Sequence, residues 1–455
     1  MKIVMIGAGY VGLTTGACLA QFGHTVTCVD VDAAKVEALR QARIPIYEPG
    51  LSDLVASLTS TGHIKFDTSI EEPVATADAV FLAVGTPALP DGDTDLRYIL
   101  AAAEAVAPVM RNDAVLVIKS TVPAGTAARV RELVARVRGG RPLSVASNPE
   151  FLREGSALSD FMAPDRVVIG ADDPHAEALL RRLYQPLSRR APIRITSTVN
   201  AELIKYSANA LLAIKIGFIN DIADLCEAAG GDIRDVAEGI GLDRRIGKAF
   251  LQPGPGFGGS CFPKDTRSLA FTGRKFGAEQ PLVEVLIQRN EQRKQRLAER
   301  VAAELAPGST VAVLGTAFKA ETDDVRESAA LAVIPALREA GLRVRAYDPK
   351  ARHTTLAAIP DLDWAETPYA AAEGAQAVVI LTEWEEFKSL DMTHLSQVMD
   401  GDLVFDFRNL LDDEALESTS LRLVALGRAV PKADRSAALK TGGGAISANL
   451  AASPL

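Results

Sequence analysis

Short apolar runs alternate with segments of helical periodicity along the first 200 residues. The runs have the length of β-strands and lie at residues 2–6, 25–29, 79–84, 115–118, 143–146 and 167–169. The segments between them, such as 99–109 and 126–137, space their apolar residues as amphipathic helices do. This alternation predicts βαβ units, and hence a mostly parallel sheet with helices on both faces.

The pattern changes at about residue 200. Residues 200–229 carry apolar side chains at helical spacing over a wide face, which predicts a long helix that serves as a spine and a dimer surface. A charged helix is expected around 291–305. Strand and helix patterns then return at 309–314, 327–340, 342–347, 377–381 and 403–405. The predicted fold is α/β, with two doubly wound domains joined by a long central helix and a helical middle domain.

A GxGxxG motif at 7–12 follows the first predicted strand and opens a helix of small residues. Such glycines make a tight turn and let the backbone approach a pyrophosphate, while the helix N-terminus attracts its charge. The second strand ends in Asp30, an acid placed to bond the ribose hydroxyls and to repel a 2′-phosphate. The motif predicts a Rossmann domain that binds NAD. Lys35 and Arg40 are nearby cations that argue for NADP, and a simple turn residue is the alternative for Asp30.

The segment 256–265, GFGGSCFPKD, places one cysteine in a glycine-rich turn. Lys264 lies three residues after Cys261, and a neighbouring cation lowers the pKa of a thiol and supplies the reactive thiolate. A buried structural cysteine is the alternative, but the flanking glycines and Pro263 disfavour a core strand or helix. The sequence therefore predicts a nucleophile with a lowered pKa.

The C-terminal part repeats the strand and helix pattern without the full glycine motif. Its segment 315–319, GTAFK, keeps one glycine, so this part is expected to hold a single nucleotide, with Lys319 near its phosphates. The Gly-rich end of the chain is expected to be a flexible tail.

Composition and charge favour an enzyme of two or three domains over a protein that binds nucleic acid or a membrane surface. The 455 residues suffice for two or three domains, and a net charge of −9 gives no argument for nucleic acid or a membrane surface. The first twenty residues read as a strand and a glycine loop, not a signal peptide, so a cytoplasmic protein is expected. The cysteines lack metal-site spacing, and Cys18 and Cys28 are expected in the core. We therefore expect no metal.

The motifs together resemble those of the UDP-glucose 6-dehydrogenases, within the wider family of nucleotide-sugar dehydrogenases. The matching segments are the glycine loop, GTP at 85–87, NPEFLREG at 148–155, Lys205 with Asn209, and the cysteine loop. The resemblance runs from Met1 to about residue 427. The residues around Cys261 match the UDP-glucose wording of that loop rather than the wording usual for GDP-mannose or UDP-N-acetylmannosamine.

The resemblance implies that C6 of the sugar is oxidised twice, with two NAD⁺ reduced and Cys261 forming first a thiohemiacetal and then a thioester. It implies catalytic roles for Cys261, Lys205, Asn209, Asp265, Glu154 and Thr121. The implied NAD contacts are Gly7, Gly9, Tyr10, Val11, Gly12, Asp30, Lys35, Gly85, Thr86, Thr121, Glu154, Lys264 and Arg326. The implied UDP-glucose contacts are Glu150, Phe151, Leu152, Gly155, Lys205, Asn209, Arg245, Phe250, Phe257, Gly258, Cys261, Phe318, Lys319 and Arg408, with Arg245 reaching the sugar of a partner subunit in a homodimer.

The expected domains are 1–197 for NAD, 198–300 for the central helices and the cysteine loop, 301–435 for the UDP-sugar, and a tail at 436–455. Two alternatives stay open: a dehydrogenase of GDP-mannose or UDP-N-acetylmannosamine, and a catalytically silent protein that binds NAD and a nucleotide sugar. A third alternative, a two-electron hydroxyacid dehydrogenase, is disfavoured. The last has no use for Cys261.

Overall fold

The structure, a computed structural model, describes residues 1–428. The predicted tail at 436–455 lies outside these residues, as does the end of the expected third domain. The described chain contains two sheets that are connected by a group of long helices.

The first sheet has eight strands in the order β3-β2-β1-β4-β5-β6-β7-β8, and every neighbouring pair is parallel except β6 with β7. Its strands are β1 (Lys2–Ile6), β2 (Thr25–Val29), β3 (Ile64–Asp67), β4 (Ala79–Leu82), β5 (Val115–Ile118), β6 (Ser144–Ser147), β7 (Val167–Ala171) and β8 (Ile193–Thr196). Its helices are α1 (Tyr10–Gln21), α2 (Ala33–Arg40), α3 (Leu51–Ser60), α4 (Glu71–Thr76), α5 (Arg97–Val106), α6 (Thr126–Val137), α7 (Ala157–Met162) and α8 (Pro174–Leu183).

Burial on both faces explains why the inner strands read as continuous apolar runs. Along β1, Ile3 and Met5 join the core on one face of the sheet, whereas Val4 and Ile6 join the core on the other. Strands β3 and β8 were not predicted. They lie at the two edges of the sheet and include exposed or half-buried polar positions, such as Lys65, so they lack the apolar run that identifies a buried strand.

Cys18 and Cys28 lie in the core of this unit, as predicted. Both side chains are fully buried, and burial raises the pKa of each thiol to about 12. Gly16 allows this packing, since a Cβ atom there would lie 2.9 Å from Cys28 Sγ.

Four helices follow the first sheet: α9 (Thr198–Ala229), α10 (Ile233–Gly241), α11 (Phe262–Lys275) and α12 (Pro281–Ala302). The long helix begins after Ser197, whose hydroxyl accepts a hydrogen bond from the Asn200 N–H, and ends at Gly230 with φ of +83°. Helix α12 begins ten residues before the predicted start at 291, because Pro281 occupies its first turn. Helices α11 and α12 both pack against α9.

The second sheet has six parallel strands in the order β11-β10-β9-β12-β13-β14. They are β9 (Thr310–Leu314), β10 (Arg343–Tyr347), β11 (Asp363–Trp364), β12 (Ala377–Ile380), β13 (Leu403–Asp406) and β14 (Arg422–Ala425). The helices of this unit are α13 (Ala329–Glu339), α14 (Arg352–Ala358), α15 (Pro368–Ala372), α16 (Glu385–Lys388) and α17 (Met392–Val398). The order repeats that of the first six strands of the other sheet, which confirms two doubly wound units.

Asp348 ends strand β10 at the position that Asp30 takes after β2. Its buried carboxylate accepts hydrogen bonds from the backbone N–H groups of Thr316, Ala317, Lys350 and Ala351 and from the indole N–H of Trp384. Five donors leave no acceptor position for a ribose hydroxyl. This agrees with the prediction that the C-terminal unit does not hold a dinucleotide.

We expect Asp348→Ala to lower the unfolding free energy of the C-terminal unit by about 3 kcal/mol or more, because it leaves buried donors without an acceptor. Both tryptophans of the chain, Trp364 and Trp384, lie in this unit, so urea unfolding followed by tryptophan fluorescence reports on it. Asp363→Ala, which removes only an exposed ion pair with Arg345, is the matched control. Equal midpoints for the two variants would contradict a structural role for Asp348.

Candidate active site

The glycine loop lies between β1 and α1, where the strand order of the first sheet reverses. Gly7 has φ of +101°, and a Cβ atom on Gly12 would lie 1.9 Å from the Gly7 carbonyl oxygen. Gly9 precedes α1, and no side chain caps the helix there. The first N–H groups of α1 are therefore free to bind a phosphate, and the loop fits a dinucleotide.

Asp30 is held in place at the end of β2. Its carboxylate accepts from the Ala8 N–H at 2.8 Å and the Asp32 N–H at 3.1 Å, and Lys35 Nζ lies 3.0 Å away. Desolvation raises the pKa of Asp30, but these donors outweigh it and keep the pKa below its usual value. The other cation, Arg40, bonds the Phe66 carbonyl oxygen. Both cations thus have partners within the fold.

Three of the other predicted NAD contacts follow neighbouring strands of the first sheet, whereas Lys264 lies on α11 and Arg326 precedes α13. Gly85 and Thr86 follow β4, and Thr121 follows β5. The Thr86 hydroxyl donates to the Thr121 carbonyl oxygen at 3.0 Å, which fixes the two turns relative to each other. Among the described residues, no hydrogen bond joins the Thr121 side chain to Cys261.

The cysteine loop is held by side chains from the long helices. Asn290 on α12 accepts from the Phe257 N–H at 2.9 Å and donates to the Phe257 carbonyl oxygen at 3.0 Å. Asn220 on α9 accepts from the Gly254 N–H, and Arg293 donates to the Gly254 carbonyl oxygen. These contacts were not predicted, because an isolated polar residue in a helix pattern does not reveal a distant loop as its partner.

The loop also meets the C-terminal unit. A Cβ atom on Gly258 would lie 2.4 Å from the Glu327 carbonyl oxygen, and one on Gly259 would lie 2.7 Å from the Phe318 ring. The Gly259 N–H donates to the Arg326 carbonyl oxygen at 2.8 Å. Glycine is therefore required where the loop is pressed between two parts of the chain.

Cys261 occupies the position immediately before α11, and charged groups surround its thiol. Burial raises the pKa of its thiol to about 11, the carboxylates of Glu150 and Asp265 add to the rise, and Lys205 opposes it. The predicted lowering of the thiol pKa is wrong, because burial and the two carboxylates outweigh the nearby cations, and the Lys264 ammonium also pairs with Asp265, its neighbour in sequence. The cation that most favours the thiolate is Lys205, which lies 56 positions earlier in the chain.

Lys205 and Asn209 lie on the buried face of α9, as their four-residue spacing predicts. Lys205 Nζ lies 3.1 Å from Glu150 Oε1, and Asn209 donates to Asp265 Oδ2 at 2.7 Å. Desolvation lowers the pKa of Lys205, but Glu150 and the other acids raise it overall, so the lysine stays a cation. Two donors on α9 are thus held by two carboxylates, and Lys205 and both carboxylates act on the thiol electrostatically.

Glu154 connects to the thiol through one hydroxyl. Ser260 Oγ donates to Glu154 Oε1 at 2.9 Å and lies 3.5 Å from Cys261 Sγ. Thr322 donates to the other carboxylate oxygen, and Arg326 lies 3.6 Å away. Desolvation and the nearby Asp324 raise the pKa of Glu154, which makes it a stronger base than an exposed glutamate.

The predicted substrate contacts form two groups. The Phe151 ring lies between Arg166, at 3.7 Å from its centroid, and Lys205, at 5.2 Å. Leu152 donates its N–H to Glu150, and Gly155 donates its N–H to Glu48. The rings of Phe250 and Phe257 each pack on Phe262 within the cysteine loop region.

The C-terminal unit supplies the second group. Arg408 donates to the carbonyl oxygens of Leu381 and Phe318, and Glu383 lies 3.2 Å away. Lys319 lies next to Phe318, and desolvation lowers its pKa. Arg245 joins neither group by a hydrogen bond or ion pair among the described residues: its side chain is 88% exposed and pairs with Asp243.

Residues 1–188 match the NAD binding domain of the UDP-glucose/GDP-mannose dehydrogenase family, 199–292 its central domain and 312–413 its UDP binding domain. The chain belongs to the UDP-glucose/GDP-mannose dehydrogenase family. The resemblance in the sequence is thereby confirmed, as are NAD as the cofactor and a dehydrogenase as the class of enzyme.

Named relatives cover almost the whole chain. A UDP-glucose 6-dehydrogenase of Rhizobium meliloti is 47% identical over 435 residues, which cover 94% of this chain and all of that protein. One from Bacillus subtilis is 42% identical, with 94% and 93% covered. A UDP-glucose dehydrogenase structure from Pyrobaculum islandicum matches with a TM-score of 0.87 at 40% identity, covering 94% of this chain and 98% of that one.

Within residues 1–428, no helix combines the length and apolar character needed to cross a membrane. The same residues contain no group of three or more histidine, cysteine or acidic side chains arranged to hold a metal ion.

We expect Asp30→Ala to reduce the preference for NAD over NADP by about ten-fold or more, because the carboxylate bonds the ribose and repels a 2′-phosphate. The ratio of kcat/KM for the two cofactors measures it. Asp32→Ala, which removes only the cap of α2 in the same loop, is the matched control. An unchanged ratio in Asp30→Ala would refute the assignment.

Proposed function

We propose that this enzyme oxidises UDP-glucose at C6 to UDP-glucuronate in two NAD-dependent steps, through a thiohemiacetal and a thioester on Cys261. The observation that carries the proposal is the position of Cys261. Its thiol lies at the start of α11, beside the Lys205 cation and one hydroxyl away from the Glu154 carboxylate. A two-electron dehydrogenase needs no such thiol.

The residues at the glycine loop, at Asp30 and after β4 and β5 would hold NAD⁺, which when bound would accept the hydride in each oxidation. In the first oxidation the C6 hydroxyl loses its proton and C6 loses a hydride, which gives the aldehyde. Negative charge develops on the C6 oxygen as the proton leaves, and again when sulfur attacks the aldehyde. Lys205 and Asn209 are donors fixed by buried carboxylates, so they stabilise that oxygen without reorganisation. Asp265 and Thr121 orient or activate the sugar hydroxyl and orient water, and Glu154 serves as the base in hydrolysis.

The cysteine then captures the aldehyde. The Cys261 sulfur attacks the carbonyl carbon, a C–S bond forms, and the thiol proton passes through the Ser260 hydroxyl to Glu154. This route fits a thiol whose pKa is raised by burial, because the proton leaves as the sulfur attacks. The adduct keeps one C–H bond. In the second oxidation its hydride would go to NAD⁺, the adduct oxygen becomes the thioester carbonyl oxygen, and Glu154 releases the thiol proton to solvent, which restores its carboxylate before hydrolysis.

The UDP group is assigned to the C-terminal unit, with domains at 1–197, 198–300 and 301–435. Lys319 makes no ion pair or hydrogen bond within the described residues, so its ammonium is available for the diphosphate. Arg408 supports the sugar side next to the cysteine loop, where a Cβ atom on Gly254 would lie 3.1 Å from its guanidinium.

A homodimer through the central helices is part of the proposal. Leu211, Phe218 and Leu225 recur every seven residues on α9 and are each more than half exposed, as is Leu282 on α12. Such a stripe on one face of a helix is typical of a helix–helix interface. Arg245 is exposed and separate from the site of its own chain, as a residue that reaches a partner's sugar would be.

The choice of sugar is tested by comparing substrates. We expect kcat/KM for UDP-glucose to exceed that for GDP-mannose and UDP-N-acetylmannosamine by at least about 100-fold, because sites that bond specific hydroxyls reject sugars lacking them. NADH formation with each nucleotide sugar measures it. A higher value for either of the other two sugars would assign the enzyme to another branch of the family.

We expect Cys261→Ser to lower turnover by about 1000-fold or more while UDP-glucose still binds, since a hydroxyl is a far poorer nucleophile than a thiol. Steady-state rates and calorimetric binding measure the two effects. Cys226→Ser replaces a buried cysteine on α9 outside the site and serves as the control. Near-normal turnover of Cys261→Ser would show that the thiol is structural.

A further inference from the structure

A buried glutamate outside every predicted site lies between the glycine loop and the segment that carries Glu154. Glu48 is 6% exposed, and its two carboxylate oxygens accept from the Gly155 and Ala157 N–H groups, each at 2.7 Å. The third donor is the phenol of Tyr10, the first residue of α1. No ion pair with Glu48 occurs among the described residues, so these three donors stabilise its charge.

Tyr10 contacts the backbone on the other side of Glu154. Its hydroxyl also lies 3.3 Å from the Arg153 carbonyl oxygen, while Glu48 binds the Gly155 N–H. Glu48 thus holds the peptide group after Glu154 by a hydrogen bond, and the Tyr10 hydroxyl, which donates to Glu48, lies against the peptide group before it. Burial, and then the Glu48 carboxylate, raise the pKa of the Tyr10 phenol well above its usual range, so the phenol remains a donor.

The Glu321 backbone packs directly against the same segment at Gly155. Gly155 has φ of +80°, and a Cβ atom there would lie 2.4 Å from the Glu321 carbonyl oxygen. The Arg153 guanidinium is engaged by Asp160 and does not compete for Glu48. The backbone around Glu154 is therefore confined between Glu48 on one side and Glu321 on the other.

We infer that Tyr10 and Glu48 are positioning residues that hold Glu154 for hydrolysis of the thioester, and that they link this step to the glycine loop. The inference rests on the proposed function. Glu154 itself is the base, and its side chain extends from the held backbone to Ser260. Because Tyr10 is the first residue of α1, a shift of the glycine loop would move the Tyr10 hydroxyl relative to Glu48 and Arg153.

Water hydrolyses the thioester with Glu154 as the base. A water oxygen attacks the thioester carbon and its proton passes to Glu154, so that a C–O bond forms. The C–S bond then breaks, the Cys261 sulfur leaves as the thiolate and regains a proton from Glu154, and the sugar leaves as the carboxylic acid, which ionises in solution. No electrons leave the system in this step.

The test is Tyr10→Phe, which keeps the ring and removes only the hydroxyl. With saturating NAD and UDP-glucose we expect kcat to fall about ten-fold and an acyl adduct on Cys261 to accumulate, because a displaced base slows hydrolysis more than the oxidations. Acid-quenched intact mass detects the adduct. Tyr369→Phe, which loses a hydroxyl bonded to the Asp391 N–H in the C-terminal unit, is the matched control.

A second variant guards against loss of folding. Glu48→Gln keeps the size of the side chain and one acceptor oxygen, and we expect the same adduct in that variant while its melting temperature reports the fold. Normal turnover in both variants, or slow turnover without an adduct, would overturn the inference alone. If wild-type enzyme trapped during turnover never carried a sugar on Cys261, the proposed function would fail and this inference with it.

Discussion

Burial of the Cys261 thiol is the constraint on which the rest of the site depends. A thiol with a pKa of about 11 is a poor nucleophile at neutral pH unless a base takes its proton and a cation stabilises its charge. Neither group comes from its own loop: Glu154 lies on the segment after β6, and Lys205 lies on α9. The long helices, the first unit and the cysteine loop must therefore meet at one point for the chemistry to occur.

The two sheets show how one strand order serves two purposes. Asp30 and Asp348 both end the second strand of their units, and both accept from the turn after the first strand. The Asp30 carboxylate has three close donors and lies beside the glycine loop. The Asp348 carboxylate is buried and accepts hydrogen bonds from five donors, which include the Trp384 indole. The difference lies in the glycines and in the side chains around the carboxylate, since the backbone plan is shared.

The spacing of apolar and polar residues predicted the features that depend on neighbouring residues: the inner strands and the buried face of the long helix. Continuous apolar runs located the inner strands, and the four-residue spacing of Lys205 and Asn209 placed both on the buried face of α9. The predicted lowering of the Cys261 pKa was wrong, because burial of the thiol, which the loop sequence does not reveal, outweighs the nearby cations. Asn290 and Glu48 were missed altogether. Each binds backbone groups far away in the chain, and only the three-dimensional arrangement of the units identifies such partners.

The central claim is that one active site removes four electrons from each sugar through Cys261. The most direct measurement is the number of NADH molecules formed for each UDP-glucose consumed by the wild-type enzyme, together with an assay for free aldehyde. Covalent capture predicts two NADH per sugar, UDP-glucuronate as the product and no aldehyde in solution. One NADH per sugar, with aldehyde released, would contradict the account.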